Sequence, residues 1–353
     1  MSTVASRTAP GPVALLGSGE TTPSAGVIYD QLTSGAAPLH LAVLETPAGF
    51  QPNSAAVAGK VADYLRVRLQ NLRPEIALLP ARARGTPESP DNPATTEALR
   101  DAGLIFLGPG SPTYTVRQLQ GSLAWERTLA RQRRGVPLVT ASAATIAMGA
   151  FALPVYEIYK VGAELHWQPG LDLFRPYGLS LVFVPHWDNA EGGAELDTSR
   201  CFVGRERFER LLAMLPGDLT VVGVDEHTGL VIDPAAGVAR VLGRGGVTVI
   251  SSAGWQRRHE RKSAFALADL GPFRLPAPEE GLDPAVWADM AGEAAADDGA
   301  APEVPAEVLA LVSARQGARA ARDWAAADAI RGQLAGLGWQ VKDTPAGPVV
   351  ERV

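Results

Sequence analysis

With 353 residues, a formal net charge of −6, 46% hydrophobic and 20% charged residues, the chain can bury a large core and has no general attraction for nucleic acid or anionic membranes. A single cysteine, Cys201, excludes an intrachain disulfide and any metal site built from several cysteines. Residues 1–12 hold no apolar run of signal-peptide length and no 18-residue apolar window occurs, so a cytoplasmic location with no membrane partner is expected.

The chain opens with a short apolar run, Val13 to Leu16, that reads as a buried strand ending in a glycine turn at Gly17-Ser18-Gly19. That turn has neither the spacing of a phosphate loop nor a full dinucleotide fingerprint. Leu41 to Leu44, Glu75 to Leu79, Leu104 to Leu107 and Val136 to Val139 repeat the pattern of a continuous apolar strand. Helical stripes lie between them at Asn53–Leu69, Ala94–Arg100, Tyr114–Gln120 and Trp125–Arg134, the last rich in arginine and read as a solvated face. Continuous rather than alternating apolar strands predict an α/β three-layer sandwich with a mostly parallel central sheet. Val155–Tyr159, Leu181–Val184 and Val221–Val224 are the next strand candidates. Leu230–Ile232, Val238–Leu242 and Val247–Ile250, short and β-branched, predict antiparallel edge strands.

The main domain is expected to span 1–276. Residues 277–305, rich in Ala, Pro and acidic side chains, read as a linker, and 306–353 as a small C-terminal helical module. In that module Ala306–Leu337 divides into two helices stopped by Gly338, and a β arm follows around Asp343–Gly347.

Chemistry points first to Ser142. The run Val136–Val139 ends in Thr140-Ala141-Ser142-Ala143-Ala144, small residues that turn a strand into a helix and expose one hydroxyl at the carboxyl end of a sheet. A capping serine in a close helix–sheet crossing gives the same pattern. His186, directly after an apolar strand, is the best base. Glu164 and Glu157 lie between the two as candidate acids, since a triad is defined by geometry and not by chain order. His166, His186, Asp188, Glu191, Asp197, Asp225 and His227 could ligate a metal, but no zinc-type spacing occurs, and neither a metal nor a cofactor is expected.

Several pieces, in order, carry a resemblance: Gly108-Pro109-Gly110-Ser111-Pro112, Ser142-Ala143-Ala144, Pro185-His186-Trp187, Arg205-Glu206-Arg207 with Arg210-Leu211, and Val224-Asp225-Glu226-His227-Thr228-Gly229. From Ala14 through Ile250 the chain resembles the S51 serine peptidases, which include dipeptidase E and cyanophycinase and share the fold of class I glutamine amidotransferases. The resemblance implies Ser142 as nucleophile, His186 as base and Glu164 as third member, with Glu157 in reserve. It implies an oxyanion hole from the Ala143 amide and the stretch Gly108, Pro109 and Gly110, and acyl transfer to water through an acyl-serine. Relatives cleave beside acidic residues, which would call for a positive or amide-lined pocket, here Arg117 and Gln118. Trp187, Asn189 and Glu191 are expected to line a pocket of their own.

The family elbow reads Gly-x-Ser-Ala-Gly, whereas here Thr140 and Ala144 replace both glycines. This predicts strain or a displaced serine at Thr140, and a ligand-binding, catalytically altered member of the fold is the alternative reading. The partners implied are a peptide or small amide substrate and a second copy of the chain in a homodimer.

The stretch Ala318–Leu334, with Gly338 and Lys342–Gly347, resembles the C-terminal end of cysteinyl-tRNA synthetases. None of the synthetase's catalytic motifs accompanies it, so aminoacylation is not expected. RNA contact through 306–353 would rest on Arg315, Arg319, Arg322 and Arg331.

Overall fold

The computed structural model describes residues 9–33, 37–251, 254–290, 305–320, 323–344 and 347–352. The short apolar runs become strands: β1 (Val13–Leu16), β2 (His40–Leu44), β3 (Glu75–Leu79), β4 (Leu104–Leu107), β5 (Leu138–Ala141), β6 (Phe151–Ala152), β7 (Gln168–Pro169), β8 (Leu181–Val184) and β9 (Thr220–Val224). β10 (Thr228–Asp233), β11 (Val238–Gly243), β12 (Val247–Ile250), β13 (Gln256–His259) and β14 (Ala264–Ala266) follow. One eight-stranded sheet has the order β14-β11-β10-β1-β5-β4-β2-β3. It is parallel from β1 through β3 and antiparallel at β10, β11 and β14.

Alternate residues of β1 feed two cores. Ala14 and Leu16 pack with the helices Pro23–Leu32 and Ser54–Arg68 on one face, while Val13 and Leu15 join the core on the other. That second core also holds Val116, Trp125 and Ile146 from the helices Pro112–Leu119, Leu123–Arg133 and Ala143–Ala147. The α/β sandwich with a mostly parallel central sheet and antiparallel edge is therefore present.

Three local expectations are corrected. Val247–Ile250 leaves the central sheet and pairs with β9 in a separate four-stranded sheet of order β13-β12-β9-β8. Val155–Tyr159 is a helix, with Val155 and Ile158 buried three residues apart; that spacing outweighs the β-branched content of the segment. Of Ala94–Arg100 only a single 3₁₀ turn, Glu97–Leu99, is helical.

Two compact units divide the chain, Met1–Ala291 and Gly292–Val353. The first therefore runs past the boundary expected at 276, and residues 277–290 belong to it and are not linker. Arginines read as a solvated face hold that segment. The Arg133 guanidinium donates to the carbonyl oxygen of Ala277 at 3.3 Å, Arg134 lies 3.9 Å over the Trp287 ring, and Arg100 and Arg127 pair with Asp289. Arg127 and Arg133 are themselves buried. A guanidinium can bury its stem and face while its terminal nitrogens reach carbonyl or carboxylate oxygens, which a count of charges along a helix does not reveal.

The second unit has its own small core of Val308, Val312, Leu334, Trp339 and Val341. It is formed by the helices Ala306–Ala320 and Trp324–Gly336, the latter capped by the Asp323 carboxylate, and an antiparallel pair, Trp339–Thr344 with Gly347–Arg352. Among the described residues no helix is long and apolar enough to cross a membrane.

Candidate active site

The central sheet gathers the site at one edge. Leu16 of β1 is opposite Ala141 of β5, and Thr140 is opposite Leu107 of β4, so the chain after each of these parallel strands emerges side by side. Antiparallel β10 begins at the same edge, Gly229 lying opposite Leu16, which brings the turn Asp225–His227 beside the carboxyl ends of the parallel strands. Gly17 is required there, because a Cβ on it would lie 2.0 Å from the Asp225 carbonyl oxygen.

Ser142 follows β5 at φ 51° and ψ −112°, a conformation that L-residues rarely adopt and that is held here from both sides. Its amide donates to the Leu16 carbonyl at 3.1 Å and its carbonyl accepts from the Ile146 amide at 3.1 Å. Thr140 causes no displacement. It is fully buried, its hydroxyl lies 3.0 Å from that of Thr145, and the Thr145 hydroxyl donates to the Leu16 carbonyl at 3.0 Å. The threonine in place of glycine ties β5 to the helix beyond the elbow, and Ala144 is buried in the core.

Ser142 Oγ lies 2.9 Å from Nε2 of His186, and Nδ1 of His186 lies 2.7 Å from Oε1 of Glu226. Asn189 donates from Nδ2 to the same carboxylate oxygen at 3.0 Å, and the Glu226 amide donates to Asp188 Oδ1 at 2.7 Å. The hydrogen bond from His186 and then the one from Asn189, working against partial burial, hold the Glu226 carboxyl down at about 2. An ionised carboxylate only accepts, so in the neutral imidazole Nδ1 carries the proton and Nε2 is the acceptor facing the serine hydroxyl. His186 is also at positive φ, 49°, and its carbonyl accepts from the amides of Asn189 and Cys201.

The acid behind the histidine is thus Glu226, and neither Glu164 nor Glu157 takes that place. The Glu164 carbonyl oxygen, not its carboxylate, is what His166 Nδ1 meets, at 2.8 Å. Glu157 lies on the helix Val155–Tyr159, with Oε2 buried and unpartnered. The signal for Glu226 was present in the sequence, an acid at the end of an apolar strand beside His227. The antiparallel return of β10 that brings it to the serine was not.

Ser142 opens onto a cleft of about 400 Å³. Ala143 and Gly110 line it, and Ala143 supplies the first N–H of its helix, which has no acceptor within the helix. Gly110 must be glycine, since a Cβ would lie 1.8 Å from the Pro47 carbonyl oxygen. Pro109 has no N–H to give, and with Gly108 it faces a separate small cavity beside Glu45, Pro47 and Phe106. Of the stretch 108–110, Gly110 is the residue that lines the Ser142 cleft.

The expected pocket residues separate in the same way. Glu191 lines the cleft. Asn189 is buried and orients Glu226. Trp187 is buried edge-on against Phe208 at 5.2 Å, with Arg200 3.8 Å over its ring. Gln118 is buried, accepting from the Arg84 amide at 2.8 Å, and Arg117 lies over the Tyr114 ring at 5.0 Å; neither lines the cleft. Residues not foreseen there are Tyr156, Tyr159, Lys160 and Phe202. Cys201 also reaches the cleft wall but is buried, and burial pushes its thiol up to about 12, so it holds no thiolate at neutral pH. Of the residues weighed as metal ligands, Asp225 pairs with Arg258 at 2.6 Å and Asp197 accepts from the Ser199 and Arg205 amides, while Nδ1 of His227 is buried without a partner among the described residues.

Comparison with known proteins divides along the same line as the fold. A crystal structure of a peptidase from an acI-B1 Actinobacterium superposes with a TM-score of 0.57 at 20% identity, covering 74% of this chain and 98% of that one. The family described as the cysteinyl-tRNA ligase anticodon binding domain matches residues 301–347. The cysteine–tRNA ligase of Cutibacterium acnes is 51% identical over 69 residues, 19% of this chain and 14% of the ligase. That of Rubrobacter xylanophilus is 45% identical over 69 residues, 18% of this chain and 15% of the ligase. The chain thus spans only a small part of the length of those ligases, while it has the fold of the peptidase across nearly all of that protein.

Proposed function

We propose that the chain is a serine hydrolase that cleaves a peptide or related amide bond through an acyl-serine intermediate. The observation that carries this is the continuous hydrogen-bonded chain Ser142–His186–Glu226, with links of 2.9 and 2.7 Å, at the mouth of a cleft. Ser142 Oγ attacks the carbonyl as His186 Nε2 takes its proton, and the Glu226 carboxylate stabilises the imidazolium. The amides of Ala143 and Gly110 receive the negative charge on the carbonyl oxygen. His186 then gives its proton to the leaving amine, and the same groups activate water to hydrolyse the acyl-serine. The peptidase fold supports the reading. The ligand-binding alternative calls for a serine and histidine beyond hydrogen-bond reach, and their 2.9 Å separation speaks against it. A small fluorophosphonate should label the protein stoichiometrically, with the adduct on Ser142 by peptide mass mapping; no labelling, or an adduct elsewhere, defeats the reading.

For the second unit, the anticodon-binding family match supports contact with a folded RNA such as tRNA. The basic surface is smaller than the sequence implied, because Arg315 is buried, while Arg319 and Arg331 are exposed and Arg322 lies outside the described residues. Binding to unfractionated tRNA should weaken as salt rises and disappear when 306–353 are deleted from the full chain. Equal binding by the truncated protein rules this out.

A further inference from the structure

The wall of the cleft is aromatic. Tyr156 and Tyr159 project into it from the helix Val155–Tyr159, three residues apart and therefore on one face. Each keeps over a third of its surface exposed, 36% and 37%. Phe202 continues that wall, its ring 5.7 Å from that of Tyr159 and 5.4 Å from that of His186, so the apolar wall reaches the reacting groups. Val155 and Ile146 complete the apolar lining. The backbone that presents Phe202 is fixed in an unusual form, Arg200, Cys201 and Phe202 all having positive φ. Strain of that kind persists only where surrounding structure holds it in place.

The charge in and behind the cleft wall does not favour an anion. Besides His186, the charged side chains lining it are Lys160 and Glu191, one of each sign, and the Glu226 carboxylate stands behind His186. The Lys160 ammonium lies 5.8 Å over the Tyr156 ring, which draws it toward the aromatic wall. An acidic side chain entering here meets two carboxylates against one ammonium, and the arginine and amide that could have read it, Arg117 and Gln118, are engaged elsewhere. A volume of about 400 Å³ suits a short peptide with one large side chain.

We infer that the serine site selects short peptides carrying an aromatic or large aliphatic side chain beside the scissile bond, in preference to acidic ones. This rests on the serine-hydrolase reading and specifies its substrate class; Tyr156, Tyr159 and Phe202 are the residues that set it.

The test uses the full chain and Ala-based tetrapeptides with a single Phe, Leu, Asp or Lys at each position in turn, cleavage being followed by mass spectrometry. The best Phe or Leu peptide should exceed the best Asp peptide in kcat/KM by about tenfold or more. Tyr159→Ala should lower that ratio several-fold through KM for the Phe peptide, and Tyr159→Phe should restore it. A preference for Asp, equal rates for all peptides, or an equal loss for Phe and Asp peptides in Tyr159→Ala overturns the inference. Fluorophosphonate labelling of Ser142 without cleavage of any Phe or Leu peptide overturns it too, while leaving the hydrolase reading standing. Absence of labelling removes both.

Discussion

Ser142→Ala should abolish hydrolysis and fluorophosphonate labelling, with a loss in kcat of about 10⁶-fold that leaves only what the oxyanion donors and substrate binding supply. The fold should survive. Among the described residues the side-chain partner of Ser142 is His186, and its backbone bonds to Leu16 and Ile146 are unaffected by the change. The elbow conformation at φ 51° supplies a second readout. Alanine retains the steric cost of that conformation and glycine relieves it, so Ser142→Gly should be more stable to unfolding than Ser142→Ala, by a margin on the order of 1 kcal/mol. Both variants should be equally inactive. Hydrolysis persisting in Ser142→Ala would place the nucleophile elsewhere, and equal stability of the two variants would mean that the elbow stores no strain.

What could be read beforehand follows from how local each feature is. Ser142 and His186 were legible because each follows a continuous apolar strand, and a parallel sheet delivers the residues after its strands to one edge. The glycine loop was legible for the same reason, although only the backbone could show that Gly110 faces the cleft while Gly108 and Pro109 face away. Glu226 was hidden by a pairing. Its turn reaches the serine because β10 runs antiparallel to β1 from the same edge, and no local pattern fixes which neighbour a β-branched strand will choose. Thr140 is the converse case. Judged against a glycine it is an obstacle, but Thr145, five positions on, gives its hydroxyl a partner. The arginines of the helix Leu123–Arg133 and Arg134 after it carry the same ambiguity, since charge spacing does not show whether a guanidinium faces water or, as Arg134 does, a tryptophan such as Trp287.

Glu226→Gln keeps the size of the side chain and removes its charge. It should lower kcat by about 10³- to 10⁴-fold, because the imidazolium that forms on His186 loses its counter-charge. Glu164→Gln and Glu157→Gln should leave kcat within about twofold, since neither carboxylate reaches His186 Nδ1, where a transition-state interaction would be felt. A larger loss in Glu164→Gln than in Glu226→Gln would reverse the assignment. Stability against acid gives an independent measure. The Glu226 carboxyl is held at about 2 in the folded protein against 4.5 for a free glutamate, so between these values the unfolded chain binds the extra proton. Its contribution to stability is therefore complete above about pH 4.5 and is lost as pH falls toward 2. Chemical unfolding followed across that window should show a steeper decline in the parent protein than in Glu226→Gln, whose side chain does not titrate. Parallel curves would mean that His186 and Asn189 do not hold the carboxylate in solution, and the loss in kcat would then need another cause.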